Sequence, residues 1–412
     1  MSAISLLRHR PGLRNLWLAL SLSYTGSGLA LTALLLYVQK TQGTGLAVAG
    51  ILLAITLPRL LGPLAGSIAD RTDLRRLMID CDLGQAAFFA LLALLPSYGL
   101  LIALATLTTL LQTAYAPART AALPNLVEEE ELLRANALIG IAFNMQIAVG
   151  PLVGGLLFAA GGASLALGVN AGTFLVSAAL TALVPPIAPS PAGSDRPGLL
   201  RSTGEGLGSA MRHPVTRAVV LTLFFGLVFL AMDNVALVFL VRDTLGNGAV
   251  AFGLASTAFG VGMLVGALAL LGRQRLGAAT LWLLGLVLTA IGTLLTGIAP
   301  AIGFVIAFQL LAGSGNGIDN VANETLLQQR LPRAMLGRVF GLTNTAANAG
   351  AGLAYLLGGV LVDLTSARAV FVIAGIGGLV VTAAGTPALL RSRDTSLGDG
   401  AEQLASERAA EP

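Results

Sequence analysis

The sequence predicts an all-α integral membrane protein with twelve transmembrane helices in two pseudo-symmetric six-helix bundles. Three observations predict it: a strongly apolar composition, a one-sided distribution of basic residues, and an internal repeat. The 412 residues are 55% hydrophobic and 11% charged, whereas soluble domains carry about 25% charged residues. Mean hydropathy is +0.84. Apolar runs of about 20 residues, long enough to cross a hydrocarbon core as a helix, recur along the whole chain.

Twelve predicted spans lie at approximately 15–38, 46–69, 76–95, 99–118, 135–160, 163–185, 216–241, 249–271, 278–298, 301–325, 337–362 and 367–390. Pro96, Gly161-Gly162, Pro185-Pro186 and Pro300 punctuate the connections, as residues that break helices or favour turns. The longest interruption, 186–214, is rich in Pro, Gly and Ser and reads as a central cytoplasmic loop. It separates an N-terminal bundle, 1–185, from a C-terminal bundle, 215–390, and a polar tail follows at 391–412.

With both termini inside the cell, all of the 24 Lys and Arg residues except four fall in cytoplasmic segments. Lys40, Arg242 and Arg368 lie outside, and Arg59 lies within a span. Such an excess of cytoplasmic basic residues sets orientation, and it supports an even number of spans. The expected location is therefore a cell membrane, crossed many times.

Residues 126–155 align with 330–359 at an offset of 204, matching Arg134 with Arg338 and Gly154-Gly155 with Gly358-Gly359. A shift of about half the chain, with six spans per copy, implies parallel repeats about an axis normal to the membrane.

Composition also excludes function classes. The single Cys81 rules out an intramolecular disulfide and a Cys-based metal cluster. His9 and His213 both lie outside the apolar runs, so no imidazole metal site is expected. Lys40, the only lysine, is not in a Walker context, so ATP is not expected as a directly coupled fuel. The net charge of +4 is scattered through short loops, unlike a nucleic-acid-binding surface. No Ser/His pair or metal-binding set lies at membrane depth, so an enzyme is not expected. No cofactor is expected, and the energy source would be a proton gradient. The expected partners are the lipid bilayer and a small-molecule substrate, with the chain acting as a monomer. Residues 1–14 lack the apolar core and cleavage site of a signal peptide.

A knot of charge joins spans 2 and 3: Gly66-Ser-Ile-Ala-Asp70-Arg71-Thr-Asp73-Leu-Arg75-Arg76. These charges cannot sit in hydrocarbon, so they mark a turn at the membrane surface. Gly66 permits close helix approach, Asp70 can cap a neighbouring helix, and the arginines hold the loop on one side. The pattern Gly-x-x-x-Asp-Arg-x-x-x-Arg-Arg resembles the signature loop of the major facilitator superfamily (MFS). That family usually has Gly where this chain has Asp73. Span 5 carries Gly150-Pro151-Leu-Val-Gly154-Gly155, which resembles the core of the antiporter motif of MFS exporters. The full motif is incomplete, with Gln146 where a Gly is expected. Pro151 removes a backbone hydrogen bond and bends its helix. Together with Pro117-Ala-Arg119 through Asn136, these motifs resemble the branch containing the enterobactin exporter and macrolide efflux proteins.

The resemblance implies two six-helix halves with a substrate cavity between them. It also implies that spans 2 and 11, and 5 and 8, cross the interface. Gly62/Gly66, Gly150/Gly154 and Gly262/Gly266 are expected at that interface as Gly-x-x-x-Gly pairs, with Gly350, Gly352, Gly358 and Gly359 on span 11. Span 4, read to residue 118, carries no charge, so the arginine of many proton-coupled relatives has no counterpart there.

Ionisable residues inside spans cost about 2.5–3.5 kcal/mol on insertion scales, so each is a functional candidate. Asp233 is the candidate proton-titrating carboxylate, with Arg59 or a partner on span 10 tuning it. Asp319 belongs to a polar stripe with Asn316, Asn320 and Asn323 at three- and four-residue spacing. The static alternative is that these are structural charges bonded to neighbours. Asp80 and Asp82 are expected at the membrane interface. Candidate cavity residues are Tyr24, Gln112, Tyr115, Phe229, Asn234, Asn316 and Asn320, a wall suited to amphipathic molecules. The expected function is proton-coupled efflux of a drug-like compound or siderophore by alternating access. A nutrient importer or facilitator, and a non-transporting membrane partner on the same scaffold, stay open.

Overall fold

The computed structural model describes residues 3–62, 72–95, 97–187, 214–270, 276–331 and 333–387, and every regular element among them is helical. Gly66, Asp70 and Arg71, much of the central loop and the tail lie outside the described residues.

A short helix α1 (Ala3–His9) leads into α2 (Pro11–Gln42). Pro11 suits a first turn because its missing N–H would be unpaired there anyway. Gly43 ends α2 in the left-handed conformation at φ 67°. Thr44 then caps α3 (Gly45–Ala54), its hydroxyl accepting from the Ala47 N–H at 3.3 Å. The expected helix over 46–69 is interrupted within its described part: α3 stops at Ala54 and a 3-10 turn follows at Leu57–Leu61. Pro58 explains the break: it cannot donate to the carbonyl of Ala54, and its ring crowds that carbonyl.

Asp73 caps α4 (Leu74–Ala93) by accepting from the Arg76 N–H at 2.8 Å. The residue that departs from the family's glycine thus starts the next helix. Arg75 donates to the carbonyl of Ala182, and the Leu74 N–H to that of Ile187 at 3.2 Å. These bonds tie the start of α4 to the residues that end the N-terminal half. Helix α5 spans Tyr98–Ala122, α6 Leu132–Ala148 and α7 Gly150–Ala182. Inside α7 the backbone leaves helical geometry at Gly161 (φ −150°, ψ 17°) and Gly162 (φ 73°, ψ −167°). The second of these conformations is open essentially to glycine alone.

The second half begins with α8 (Pro214–Leu230), which breaks before α9 (Asp233–Phe239) and a π turn at Leu240–Thr244. Then follow α10 (Ala249–Ala269), α11 (Ala278–Ile298), α12 (Ile302–Arg330), α13 (Arg333–Leu364) and α14 (Ala367–Pro387). Nine segments among the described residues are long and apolar enough to cross a membrane, with Glu129–Ala182 counted as one. Large apolar side chains such as Leu83, Leu156, Leu175 and Val380 remain exposed, as expected of a surface that meets lipid.

The apolar core is divided unevenly. One cluster draws on both halves, joining Leu29–Val38, Ala47–Leu52 and Ala163–Phe174 to Val228–Val241, Phe252, Ala354 and Phe371. A second uses only the N-terminal half, including Leu13, Leu16, Met78, Ala118 and Leu138. A third uses only the C-terminal half, including Val219, Trp282, Leu327 and Val339. At the end of the molecule bearing Gly43 and Gly162 the halves share one core. At the end bearing Leu13 and Leu327 each half has its own.

Candidate functional site

Two cavities stand out, one lined by residues between 23 and 174 and the other by residues between 222 and 347. The first, about 430 Å³, is lined by Tyr24 of α2, Arg59 of the 3-10 turn, Asp82 of α4, and Gln112, Tyr115 and Arg119 of α5. Phe143 and Phe174 supply apolar wall. Arg119 is not in a loop: α5 runs through Pro117 to Ala122 and carries it into the cavity. Its guanidinium donates to the Tyr24 hydroxyl and lies 6.0 Å from that ring's centroid. Tyr24 in turn meets Phe143 edge to face at 5.6 Å. Gln112 donates to Ser27 at 3.5 Å.

Asp82 is not interfacial either. It is 1% exposed and accepts from Ser177 Oγ at 2.8 Å. The sequence held the signal: Met78, Cys81, Asp82, Gln85 and Phe89 share the buried face of α4, so Asp82 falls on the inward stripe.

The second cavity, about 270 Å³, brings Asp233 and Asn234 together with Asn316, Asp319 and Asn320 of α12. Asn323, Glu324, Thr343 and Asn344 also line it. Asn234 donates to Asp233 Oδ1 at 2.8 Å, and Asn320 to Asn316 Oδ1 at 3.0 Å. Asp319 is buried, and its Oδ1 has no hydrogen-bond partner. Phe229 lines neither cavity; its ring packs on Gly377 of α14. Arg59 lies in the first cavity, apart from Asp233. Tyr355 of α13 is close enough to interact electrostatically with both.

Around Pro151 the glycines divide between two neighbours. A β-carbon on Gly150 would come within 2.8 Å of Gly28 Cα, and one on Gly154 within 2.6 Å of the Leu29 carbonyl oxygen. Both therefore face α2, not the other half. Gly155 and Pro151 face α10: a β-carbon on Gly155 would meet the Ala249 carbonyl at 2.7 Å, and one on Gly253 the Pro151 carbonyl at 2.5 Å. Residues four apart share a helix face and the next residue turns about 100° away, which sets Gly155 apart from Gly150 and Gly154. Gly262 and Gly266 likewise face α12, and a β-carbon on Gly62 would meet nothing within 4 Å. On span 11, Gly359 meets Gly45 and Gly352 faces Leu53, whereas Gly350 and Gly358 face Phe224 and Met232 of their own half. The bend at Pro151 leaves the Leu152 N–H without a helical acceptor, and Thr257 Oγ1 of α10 takes it at 3.1 Å.

Polar contacts fasten the shared end. Gln39 donates to both oxygens of Asp243, at 2.8 and 3.0 Å. Asp363 accepts from the N–H groups of Gly45 at 2.5 Å and Leu46 at 3.0 Å. At the opposite end Arg10 pairs with Glu131 at 3.0 Å and with Glu128. The Glu128 N–H and then Arg10 hold the Glu131 carboxyl below its usual range, and the two glutamates raise the Arg10 guanidinium above its own.

A family model described as "Transmembrane secretion effector" matches residues 1–409. The chain is similar to an uncharacterized MFS-type transporter, YfiS, of Bacillus subtilis (27% identical over 388 residues, 90% of this chain and 91% of that one). It is also similar to the enterobactin exporter EntS of Escherichia coli (28% identical over 397 residues, 92% of each). Among solved structures, the nucleoside transporter NupG shares the fold at a TM-score of 0.75 and 14% identity, covering 92% of this chain and 98% of that one. A bacterial homologue of the lysosomal transporter Spinster, solved inward-facing and unoccupied, shares it at 0.69 and 14% identity, covering 93% and 98%. The match over nearly the full length, with the antiporter-like motif on α7 and the Arg75-Arg76 end of the signature loop on α4, makes this chain a transmembrane secretion effector family member of the major facilitator superfamily.

Proposed function

We propose that the protein exports a small amphipathic organic molecule by proton-coupled alternating access. In this reading twelve spans form two six-helix halves, 1–185 and 215–390, joined by the cytoplasmic segment 186–214. Dividing Glu129–Ala182 at the Gly161–Gly162 break and adding 45–61 and α4 to the long apolar segments supports that count. The shared end faces outward, and both termini and the tail 391–412 lie in the cytoplasm.

The observation that carries the reading is the divided core. One apolar cluster joins the halves at one end, and separate clusters leave them apart at the other. That is the arrangement of a transporter open to the cytoplasm, with a route for cargo from inside. EntS, at 28% identity, is named as an enterobactin exporter, which supports outward flux and a siderophore or drug-like cargo.

Asp233 and Asp319 are the proposed proton carriers. They share one cavity, and no basic residue stands among its described lining residues, so no fixed counter-charge there competes with a proton. Arg59 acts from the neighbouring cavity, through Tyr355. Gly66, Asp70, Arg71, Arg75 and Arg76, with Gly150, Pro151, Gly154 and Gly155, serve the conformational change. The protein works as a monomer in the bilayer, without a cofactor, metal or nucleic acid.

The test is extrusion of dyes and antibiotics from efflux-deficient bacteria expressing the protein, with and without a protonophore. Extrusion abolished by the protonophore is the expected result. Protonophore-resistant extrusion contradicts proton coupling, and net accumulation contradicts export.

A further inference from the structure

We propose that the first cavity is a subsite for an amphipathic organic anion, with Arg59 and Arg119 holding its carboxylate. This deepens the export reading and rests on it for the role of the anion as cargo. Arg59 and Arg119 both line one cavity of about 430 Å³, and neither takes part in an ion pair among the described residues. Both are accessible from the cavity and neither is spent on a carboxylate of the described residues, so both are free to pair with an anion that enters. Arg119 gives one N–H to the Tyr24 hydroxyl, which orients its planar fork and leaves further donors for a carboxylate.

Asp82 does not cancel this charge. It is turned to Ser177 and 1% exposed, while Arg59 is exposed and Arg119 half-buried. Of the charged side chains in the described lining, the two arginines are thus the ones an entering molecule can touch. The rest of the wall fits an apolar, ring-containing body: Phe143, Phe174 and the ring of Tyr24 line it, with Gln112 as a polar contact. The volume lies in the range of pockets that enclose a small organic molecule, about 300–1,000 Å³. The second cavity differs in character: its described lining carries Asp233, Asp319 and Glu324 and no Arg or Lys. The pair of cavities thus separates an anion subsite from an acidic one.

The experiment is calorimetric titration of the purified full-length protein in detergent with three probes of similar shape: 1-naphthoate, 1-naphthamide and 1-naphthylmethylammonium. The expected order is naphthoate first, by about tenfold over the amide, since charge-assisted hydrogen bonds are the stronger ones. Arg59→Gln and Arg119→Gln should each lower naphthoate affinity about tenfold and leave the amide unchanged. Arg217→Gln, at an exposed position on α8, should change neither. Equal binding of acid and amide, no binding of any probe, or an acid preference that survives both arginine variants would overturn the proposal. If the variants fail to fold, the three probes on the wild type still decide. Naphthoate bound but never extruded would leave the anion subsite standing and remove export. Extrusion of dyes by a protein that does not prefer the acid would do the reverse.

Discussion

Gly155 lies so close to the carbonyl of Ala249 that a β-carbon would stand 2.7 Å from its oxygen. The same relationship recurs 204 residues along. A β-carbon on Gly359 would stand 2.8 Å from the oxygen of Gly45. Gln39 and Asp243, which hydrogen-bond to each other, are also 204 residues apart. The offset read from the sequence therefore relates contacts that close the shared end, as parallel repeats require.

Filling either contact should pry that end open. Overpacking of a close contact costs about 1–3 kcal/mol. Gly155→Leu and Gly359→Leu are expected to raise thiol labelling of a Val235→Cys reporter, because Val235 is fully buried in the shared core. Gly168→Leu, where an added β-carbon meets nothing, should leave labelling at the parent level. Equal labelling in all three would show that these glycines do not govern closure.

Asp363 should act as a latch. It accepts two N–H groups at the start of α3, where a helix offers unpaired donors and partial positive charge. Asp363→Ala is expected to shift the population toward an opened shared end by about tenfold. Spin labels at the exposed residues Thr41 and Thr244 should report a longer distance in the variant. An unchanged distance distribution would remove the latch.

Thr257 should matter through its hydroxyl. It is the acceptor for the Leu152 N–H freed beside Pro151, and an unsatisfied buried donor costs about 1–3 kcal/mol. Thr257→Val should lower the melting temperature and slow extrusion, while Thr257→Ser should keep both near wild type. Equal loss in the two variants would point to packing instead.

The contact between the N-terminus and residues 128–131 should depend on acid. The Glu128 N–H and Arg10 lower the Glu131 carboxyl below its usual value, so its contribution is fully present above about pH 4.3. It is lost as pH falls through the lowered folded value. Hydrogen exchange around 128–134 should quicken over that acid range in the wild type. These rates are read as protection factors, with intrinsic exchange divided out, and in Glu131→Gln protection there should be low throughout and insensitive to pH.

The nine long apolar segments were legible because hydrophobic run length is fixed by bilayer thickness, and the 204-residue offset because residues at that spacing kept glycines in register. Helix faces were harder to read. Gly150 and Gly154 share a face by spacing, but spacing does not say which neighbour that face meets, and α2 proved to be the neighbour. The break at Pro58 was hidden because hydropathy does not register the loss of a backbone donor in an apolar run. Arg119 was missed because Pro117 reads as a helix end, yet α5 continues past it. Asp82 sat about two turns into a helix whose start is rich in charge, which masked its inward direction. Asp233 and the stripe of α12 did converge on one cavity, as intramembrane polar residues on facing helices tend to do.

Substrate-driven proton release tests the central proposal most directly. Everted membrane vesicles carrying the protein would be acidified inside and loaded with a pH-sensitive dye, and an exported compound would then be added. Release of protons in the wild type, lost in Asp233→Asn and Asp319→Asn at equal expression, is the result this account expects. A compound that the protein moves without any proton release, or release undiminished in both variants, would contradict it.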